Sequence, residues 1–306
     1  MTKLAVVTTF PPNRWTAYAK RMLQSHVDFW PDDVVLHAYY EGDKPNFKNQ
    51  KIKFINIEEV NPELVAFKKR HRDDPVANGE VKEIPGGVRR DPNAGKNDKG
   101  KGSYLWDAVR FAHKTFAVDH ALKNIDADYV LWLDADTYTF RKISKDFVTD
   151  LLPSNKLVNY LGRGDKYPEC GWVCYNKNHN KIKDFMEYWT NMYITDSIFK
   201  ELEWHDSYLF WQCVKRVAPD DGVDIGKGAG AKGHHIFVNS VLGAYIDHMK
   251  GKRKVKGKSS KSDLRGGRQE SYWQNVESYD PFGGIRFDPK QADDIVSKVA
   301  KGKQGN

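Results

Sequence analysis

The chain has 306 residues, a net charge of +8, 40% hydrophobic and 29% charged residues. That length buries a sizeable core and favours one α/β domain with embellishments over two domains. No run approaches the ~20 apolar residues of a membrane span, residues 1–10 are too short and unflanked for a signal peptide, and three cysteines without zinc spacing argue against a disulfide framework and point to reduced thiols in the cytoplasm.

Residues 3–10 read as an opening strand, broken by Pro11, Pro12 and Asn13. Residues 17–30 carry helical apolar spacing at Met22, Leu23, Val27 and Trp30, stopped by Pro31. Residues 34–40 and 52–57 read as further strands, and strands alternating with helical segments argue a largely parallel sheet. From about 68 to 102 the chain is rich in charge, Gly and Pro with almost no apolar periodicity, so a long polar excursion is expected there. Residues 103–122 predict a helix that Ser103 can cap, with Leu105, Val109, Ala112, Phe116 and Val118 as its buried stripe. A strand is expected at 157–161, helices at 181–196 and 207–216, and renewed order at 238–250 after a Gly-rich stretch at 226–233. The 9 Trp, 15 Tyr and 15 Phe suit stacking on sugars or bases, and equally they fill cores.

The most informative stretch is Tyr129-Val130-Leu131-Trp132-Leu133-Asp134-Ala135-Asp136. Its apolar, β-prone run reads as a buried strand closed by two carboxylates. Two residues apart on an extended backbone, Asp134 and Asp136 point to the same side. Such a pair is unfavourable unless a cation sits between them, and hard divalent cations are often held by one or two carboxylates plus substrate phosphates. The alternative is a solvated turn.

This segment resembles the DxD motif of the GT-A family of nucleotide-sugar glycosyltransferases. The resemblance covers about residues 1–255 and implies a GT-A (Rossmann-like) α/β fold: a mostly parallel central sheet flanked by helices, with a long polar insertion. One domain over 1–288, a basic segment at about 250–268 and a tail at 289–306 are expected. It also implies Mn²⁺ or Mg²⁺ on Asp134 and Asp136, and a nucleotide-sugar donor, by expectation a UDP-sugar.

Further residues follow from their order along the chain. The end of the first strand, Thr8, Thr9 and Phe10, then Arg14, would lie by the nucleotide. Asp107, Arg110 and Lys114 are spaced to share one helical face; they form either a surface ion-pair ladder or, as the resemblance implies, ribose and phosphate ligands. Glu169, ahead of Cys170 and Gly171, is a candidate partner for a donor or acceptor hydroxyl, or a surface glutamate beside a turn glycine. Asp206 either caps the following helix or is the base that takes the acceptor's proton, with His205 as its rival. His248 is the expected third metal ligand, with His234 and His235 as substitutes, and Lys250 and Gly251 are expected on the donor's diphosphate. An imidazole beside two carboxylates suits Mn²⁺.

The basic residues cluster. Lys250, Lys252, Arg253, Lys254, Lys256, Lys258 and Lys261 precede the next acid, Asp263. Such a run favours phosphate-rich partners. The chain also resembles the small GT-A enzymes of phages and of base-J synthesis, which implies a hydroxymethylated pyrimidine in DNA as acceptor, contacted by Lys252, Arg253, Lys254 and Lys256. A glycan or lipid-linked sugar acceptor is the alternative. A non-catalytic nucleic-acid-binding protein is the reading from another class, and it leaves the paired aspartates without a role.

Overall fold

The computed structural model describes residues 2–80, 104–164, 166–226 and 235–249. In chain order the strands are β1 (Leu4–Phe10), β2 (Val35–Tyr40), β3 (Ile52–Asn56), β4 (Tyr129–Leu133), β5 (Thr137–Thr139), β6 (Val158–Arg163), β7 (Lys166–Asn176), β8 (Gly222–Asp224) and β9 (Ile246–His248). The helices are α1 (Lys20–Phe29), α2 (Ile57–Val60), α3 (Pro62–Arg70), α4 (Ala108–Asn124), α5 (Lys145–Asp150), α6 (Ile182–Ile194), α7 (Asp206–Val217) and α8 (Ile236–Asn239).

Seven strands form one sheet in the order β3-β2-β1-β4-β7-β6-β8. β3, β2, β1 and β4 run parallel, β7 is antiparallel to both β4 and β6, and β8 is parallel to β6. The expected α/β class with a mostly parallel centre is therefore observed. Both faces of the sheet are covered, which explains why β1 and β4 read as near-continuous apolar runs. Alternate residues enter different cores: Ala5, Val7, Val130 and Trp132 pack with α4, α6 and α7, while Leu4, Val6, Leu131 and Leu133 pack with α1, α5 and α8.

Several boundaries differ from the sequence reading. The first helix begins as a π-helical turn over Trp15–Ala19, and Trp30 is already extended, as a residue before proline prefers. Residues 68–70 lie in the last turn of α3 and not in the polar excursion, and Val76 and Ala77 beyond it are buried; residues 81–103 are outside the described residues. The long central helix starts later than expected. Its cap is Asp107, whose side chain accepts from the Arg110 amide, while Ser103 lies outside the described residues.

β7 is the larger surprise. The stretch around Glu169 and Gly171, for which a turn glycine beside a surface glutamate is one of two readings, is an 11-residue strand in the middle of the sheet. Pro168 and Gly171 disguise it, because both are unfavourable in strand interiors. The irregularity is absorbed in the pairing with β6, which jumps from Tyr160 opposite Val173 to Leu161 opposite Glu169.

Candidate active site

β1 and β4 run side by side with Val7 next to Trp132, so both strands deliver their carboxyl ends to one edge of the sheet. Ligands of open α/β sheets bind outside that edge. Asp134 is the first residue beyond β4; its amide donates to Gly171 O (3.0 Å), and its Oδ1 accepts from Trp132 Nε1 (2.7 Å). A tight turn closed by Thr137 N to Asp134 O (2.9 Å) then swings Asp136 to the head of β5.

β5 pairs antiparallel with β9, with Thr137 opposite His248, and Met249 N donates to Asp136 O (2.9 Å). This ribbon brings a histidine from far along the chain onto the two aspartates. His248 Nε2 lies 3.0 Å from Asp136 Oδ1 and 3.5 Å from Asp134 Oδ2. Its Nδ1 faces Glu169 Oε1 at 3.4 Å. His248 is 1% exposed. Burial pulls its imidazole down, but Asp136 and Glu169 outweigh that and hold it up at about 9. Burial raises the Asp134 carboxyl, with Lys114 and His248 working the other way. The donor set of two carboxylates and one imidazole, within 4.8 Å of one another, fits Mn²⁺ or Mg²⁺. Three mutually close titratable groups tucked at a strand end are the arrangement a divalent cation would stabilise.

Lys114 does not share an exposed face with Asp107 and Arg110. It is buried, and its Nζ reaches Cys170 O (2.5 Å), Asp206 Oδ2 (2.7 Å) and Asp134 Oδ1 (3.7 Å), above the Trp132 ring at 4.8 Å. Burial disfavours the ammonium, yet Asp206 and Asp134 together raise its pKa above the ordinary value, so it stays charged. The reversal has a simple cause: at the middle of α4 the surface ladder reading assumed solvent, and β7 and α7 cover that position.

Asp206 is the first residue of α7 and does not cap it. The cap position is His205, with no side-chain capping bond, and the Asp206 carboxylate is turned to Lys114 instead. His205 pairs with Glu203 at 2.6 Å, both buried, among the rings of Tyr104, Phe111 and Tyr167. Glu169 is 4% exposed, not a surface residue; its Oε1 accepts from the Gly171 amide (2.9 Å) and its carboxylate faces His248.

Thr8 is fully buried, and its Oγ1 has no hydrogen-bond partner among the described residues. Thr9 donates to Tyr39 O (3.0 Å), and Phe10 packs on Trp15 at 5.7 Å. Arg14 and Arg110 are exposed. Both act on the Tyr18 hydroxyl, which burial first, and then Asp136, push up to about 12 against the two arginines. Tyr18 thus gathers Arg14 from the β1 exit, Arg110 from α4 and the aspartate pair into one electrostatic neighbourhood. Sequence reasoning missed Tyr18; it lies on the π-helical turn, a feature found often at functional sites. It also missed Arg21, whose pKa is lowered by burial and held up by Tyr138, Asp247 and Asp136. Asp107, half-buried, is raised by burial and opposed by Arg110.

His235 is edge-on to His248, with ring centroids 5.7 Å apart. His234, Lys250, Gly251, Lys252, Arg253, Lys254 and Lys256 lie outside the described residues, as does the tail. No helix among the described residues is long and apolar enough to cross a membrane.

No protein-family model and no curated protein matches the chain. Among solved structures, the chain is similar to mouse xyloside xylosyltransferase 1 in its apo form, at 10% identity and a TM-score of 0.44 over 72% of this chain and 84% of that one. It is similar to a glycosyltransferase involved in the glycosylation of the major capsid of PBCV-1, at 11% identity and a TM-score of 0.43 over 83% and 95%. It is also similar to the apo form of WbbM, a bifunctional glycosyltransferase, at 10% identity and a TM-score of 0.40 over 74% of this chain and 39% of that one.

Proposed function

We propose that this protein is a metal-dependent glycosyltransferase that moves a sugar from a nucleotide-diphosphate donor, a UDP-sugar in our reading, to a hydroxymethylated pyrimidine in DNA. The observation that carries the proposal is the meeting of Asp134, Asp136 and His248 at the carboxyl edge of the sheet. A Mn²⁺ or Mg²⁺ ion held by these three would neutralise charge on the departing diphosphate.

The remaining chemistry falls to the chain's own groups. Lys114 Nζ lies 2.7 Å from Asp206 Oδ2, and a neighbouring ammonium favours the carboxylate form that a general base needs. Asp206 would take the acceptor hydroxyl's proton as that oxygen bonds to the anomeric carbon; the bond from that carbon to the phosphate oxygen breaks, and the diphosphate leaves with the electron pair. Arg14 and Arg110 add positive charge on the donor side, with Thr8, Thr9, Phe10 and Asp107 around the nucleoside. Lys250 and Gly251 are assigned to the diphosphate by their sequence alone. If Asp206 is that base, the reaction inverts the anomeric centre; if its replacement is harmless, retention is the outcome to expect.

The DNA acceptor rests on charge: the net +8 and the basic run from Lys250 to Lys261 suit a polyanion. A hydroxymethyl base supplies the hydroxyl, and flipping it from the stack gives access. The test is mass spectrometry of DNA containing hydroxymethylcytosine or hydroxymethyluracil after incubation with a panel of nucleotide-sugars, with and without Mn²⁺. Mn²⁺-dependent addition of a sugar mass to DNA is the expected result. Transfer to free glycans in preference to any DNA replaces the acceptor reading, and the absence of nucleotide-sugar turnover under every condition removes the enzyme reading.

A further inference from the structure

We propose that Glu169 is a positioning residue for His248: its carboxylate takes the Nδ1 side of the ring and so turns Nε2 toward Asp134 and Asp136. The proposal rests on the reading of those three residues as a cation site, and it assigns Glu169 away from the donor or acceptor sugar.

The geometry has three parts. His248 turns its two nitrogens to opposite sides: Nε2 is hydrogen-bonded to Asp136 at 3.0 Å, and Nδ1, which makes no hydrogen bond among the described residues, faces Glu169 at ion-pair distance, 3.4 Å. Both Glu169 and His248 are buried, at 4% and 1% exposure, and a buried carboxylate is strongly unfavourable without a partner. The same Oε1 that faces His248 accepts the Gly171 amide at 2.9 Å, which pins the carboxylate to the backbone of its own strand.

The third part is steric. A Cβ on Gly171 would fall 2.5 Å from His248 Cε1 and Nδ1, so the ring lies directly on the bare β7 backbone. Phe237 closes on it from another side, with centroids 5.2 Å apart at 71°, and His235 at 87°. Held this way, the ring has little freedom to exchange its nitrogens. A metal-ligating histidine commonly gives its second N–H to a carboxylate, which fixes the tautomer and makes the ligating nitrogen more basic. Glu169, His235 and His248 also have ligand atoms within 4.8 Å of one another, which makes direct ligation of a second ion by Glu169 the competing arrangement. The bond from Gly171 to Oε1 favours the supporting role.

Mn²⁺ titration of the full chain, followed by electron paramagnetic resonance of the free ion, separates these arrangements. Wild type, Glu169→Gln, Glu169→Ala and Asp136→Asn are compared, with ¹⁵N shifts of the His248 imidazole as a second readout. Wild type should bind one ion with His248 as the Nδ1–H tautomer, and Asp136→Asn should lose it. Glu169→Ala should weaken binding about 10- to 100-fold and mix the tautomers. Glu169→Gln can still accept the N–H, so it should keep the tautomer and lose less affinity; if the alanine variant does not fold, this result alone decides. Unchanged Mn²⁺ affinity in the glutamate variants, with Asp136→Asn defective, overturns the role of Glu169 and leaves the cation site standing. Two ions in wild type and one in Glu169→Ala would make Glu169 a ligand and overturn the proposal. No binding by wild type removes the cation site and this inference together.

Discussion

Asp136 and His248, 112 positions apart, meet at 3.0 Å because Asp136 immediately precedes one strand of a two-stranded ribbon and His248 ends the other. Neither strand exceeds three residues, and the ribbon lies apart from the main sheet. The candidate cation site is therefore assembled by a very small piece of secondary structure docked at the edge of a large one.

Replacing Asp136 by Asn keeps the shape of the side chain and removes its charge. Metal-dependent turnover should be abolished while the folded structure survives, read by nucleotide-sugar hydrolysis alongside circular dichroism. Full activity in this variant would remove the aspartates from the mechanism.

Gly171→Ala should disturb the site without replacing any of its charged side chains. The new methyl would lie 2.5 Å from the His248 ring. The ring must move, so Mn²⁺ affinity should fall by about tenfold or more, in the range for lost support of a ligand, with about 1–3 kcal/mol of destabilisation from overpacking. A titration showing wild-type affinity would mean the ring has room that the structure does not give it.

Lys114→Met should be among the most damaging substitutions. Lys114 is 4% exposed, and its ammonium lies within reach of both Asp206 and Asp134. Removing one partner of a buried ion pair leaves the other uncompensated, typically by ~3–5 kcal/mol. Chemical denaturation measures this. If Lys114→Met,Asp206→Asn restores much of the loss, the pair is the cause; a double variant no better than the single one would place the damage elsewhere.

Stability should fall as pH drops below neutral. Burial holds His26 down to about 3 and His37 down to about 4. Between those values and the unfolded-state pKa of about 6.5, the unfolded chain binds more protons than the folded one, so acid favours unfolding. The stabilisation from neutral burial is full above pH 6.5 and is lost progressively below it, by about 2 kcal/mol for each histidine at pH 5. Urea midpoints at pH 7.5 and pH 5 test the sign. His248, held up at about 9, works the other way over this range but by less than the two together, so a higher midpoint at pH 5 than at pH 7.5 would show that the two imidazoles are not held neutral.

Neutralising Lys252, Arg253, Lys254 and Lys256 together should weaken DNA binding and flatten its salt dependence. The log–log slope should lose about 0.7–0.9 for each phosphate contact removed. Donor hydrolysis without acceptor should change little. Normal modification of DNA by the quadruple variant at moderate salt would count against the basic run as an acceptor contact.

Part of this molecule was written locally. The runs at 4–10 and 129–133 announce buried parallel strands, because strands covered on both faces are apolar throughout and need no partner to be recognised. The aspartates at the end of the second run are expected to share a direction on an extended backbone; instead a turn closed by Thr137 N to Asp134 O carries Asp136 to the head of β5, and the two meet around His248. Periodicity also located α4, α6 and α7 to within a few residues.

What the sequence could not decide were the contacts between distant segments. For Glu169 the sequence leaves a sugar-hydroxyl partner and a surface glutamate both open, because Pro168 and Gly171 look like a turn, and only the pairing of β7 with β4 and β6 buries it. For Lys114 the sequence leaves an exposed ion-pair ladder and a donor contact both open, and only the structure shows β7 and α7 closing over it and giving it Cys170 O and Asp206. His248 could be nominated from its order in the chain, but a three-residue strand carries too few side chains to signal its register. The sequence by itself determined which segments must be core, since that follows from local pattern and residue type, and it nominated side chains for the chemistry without placing them. Only the tertiary structure decided which charges face one another, because that depends on long-range pairing whose loop-closure entropy is offset by packing summed over the whole fold.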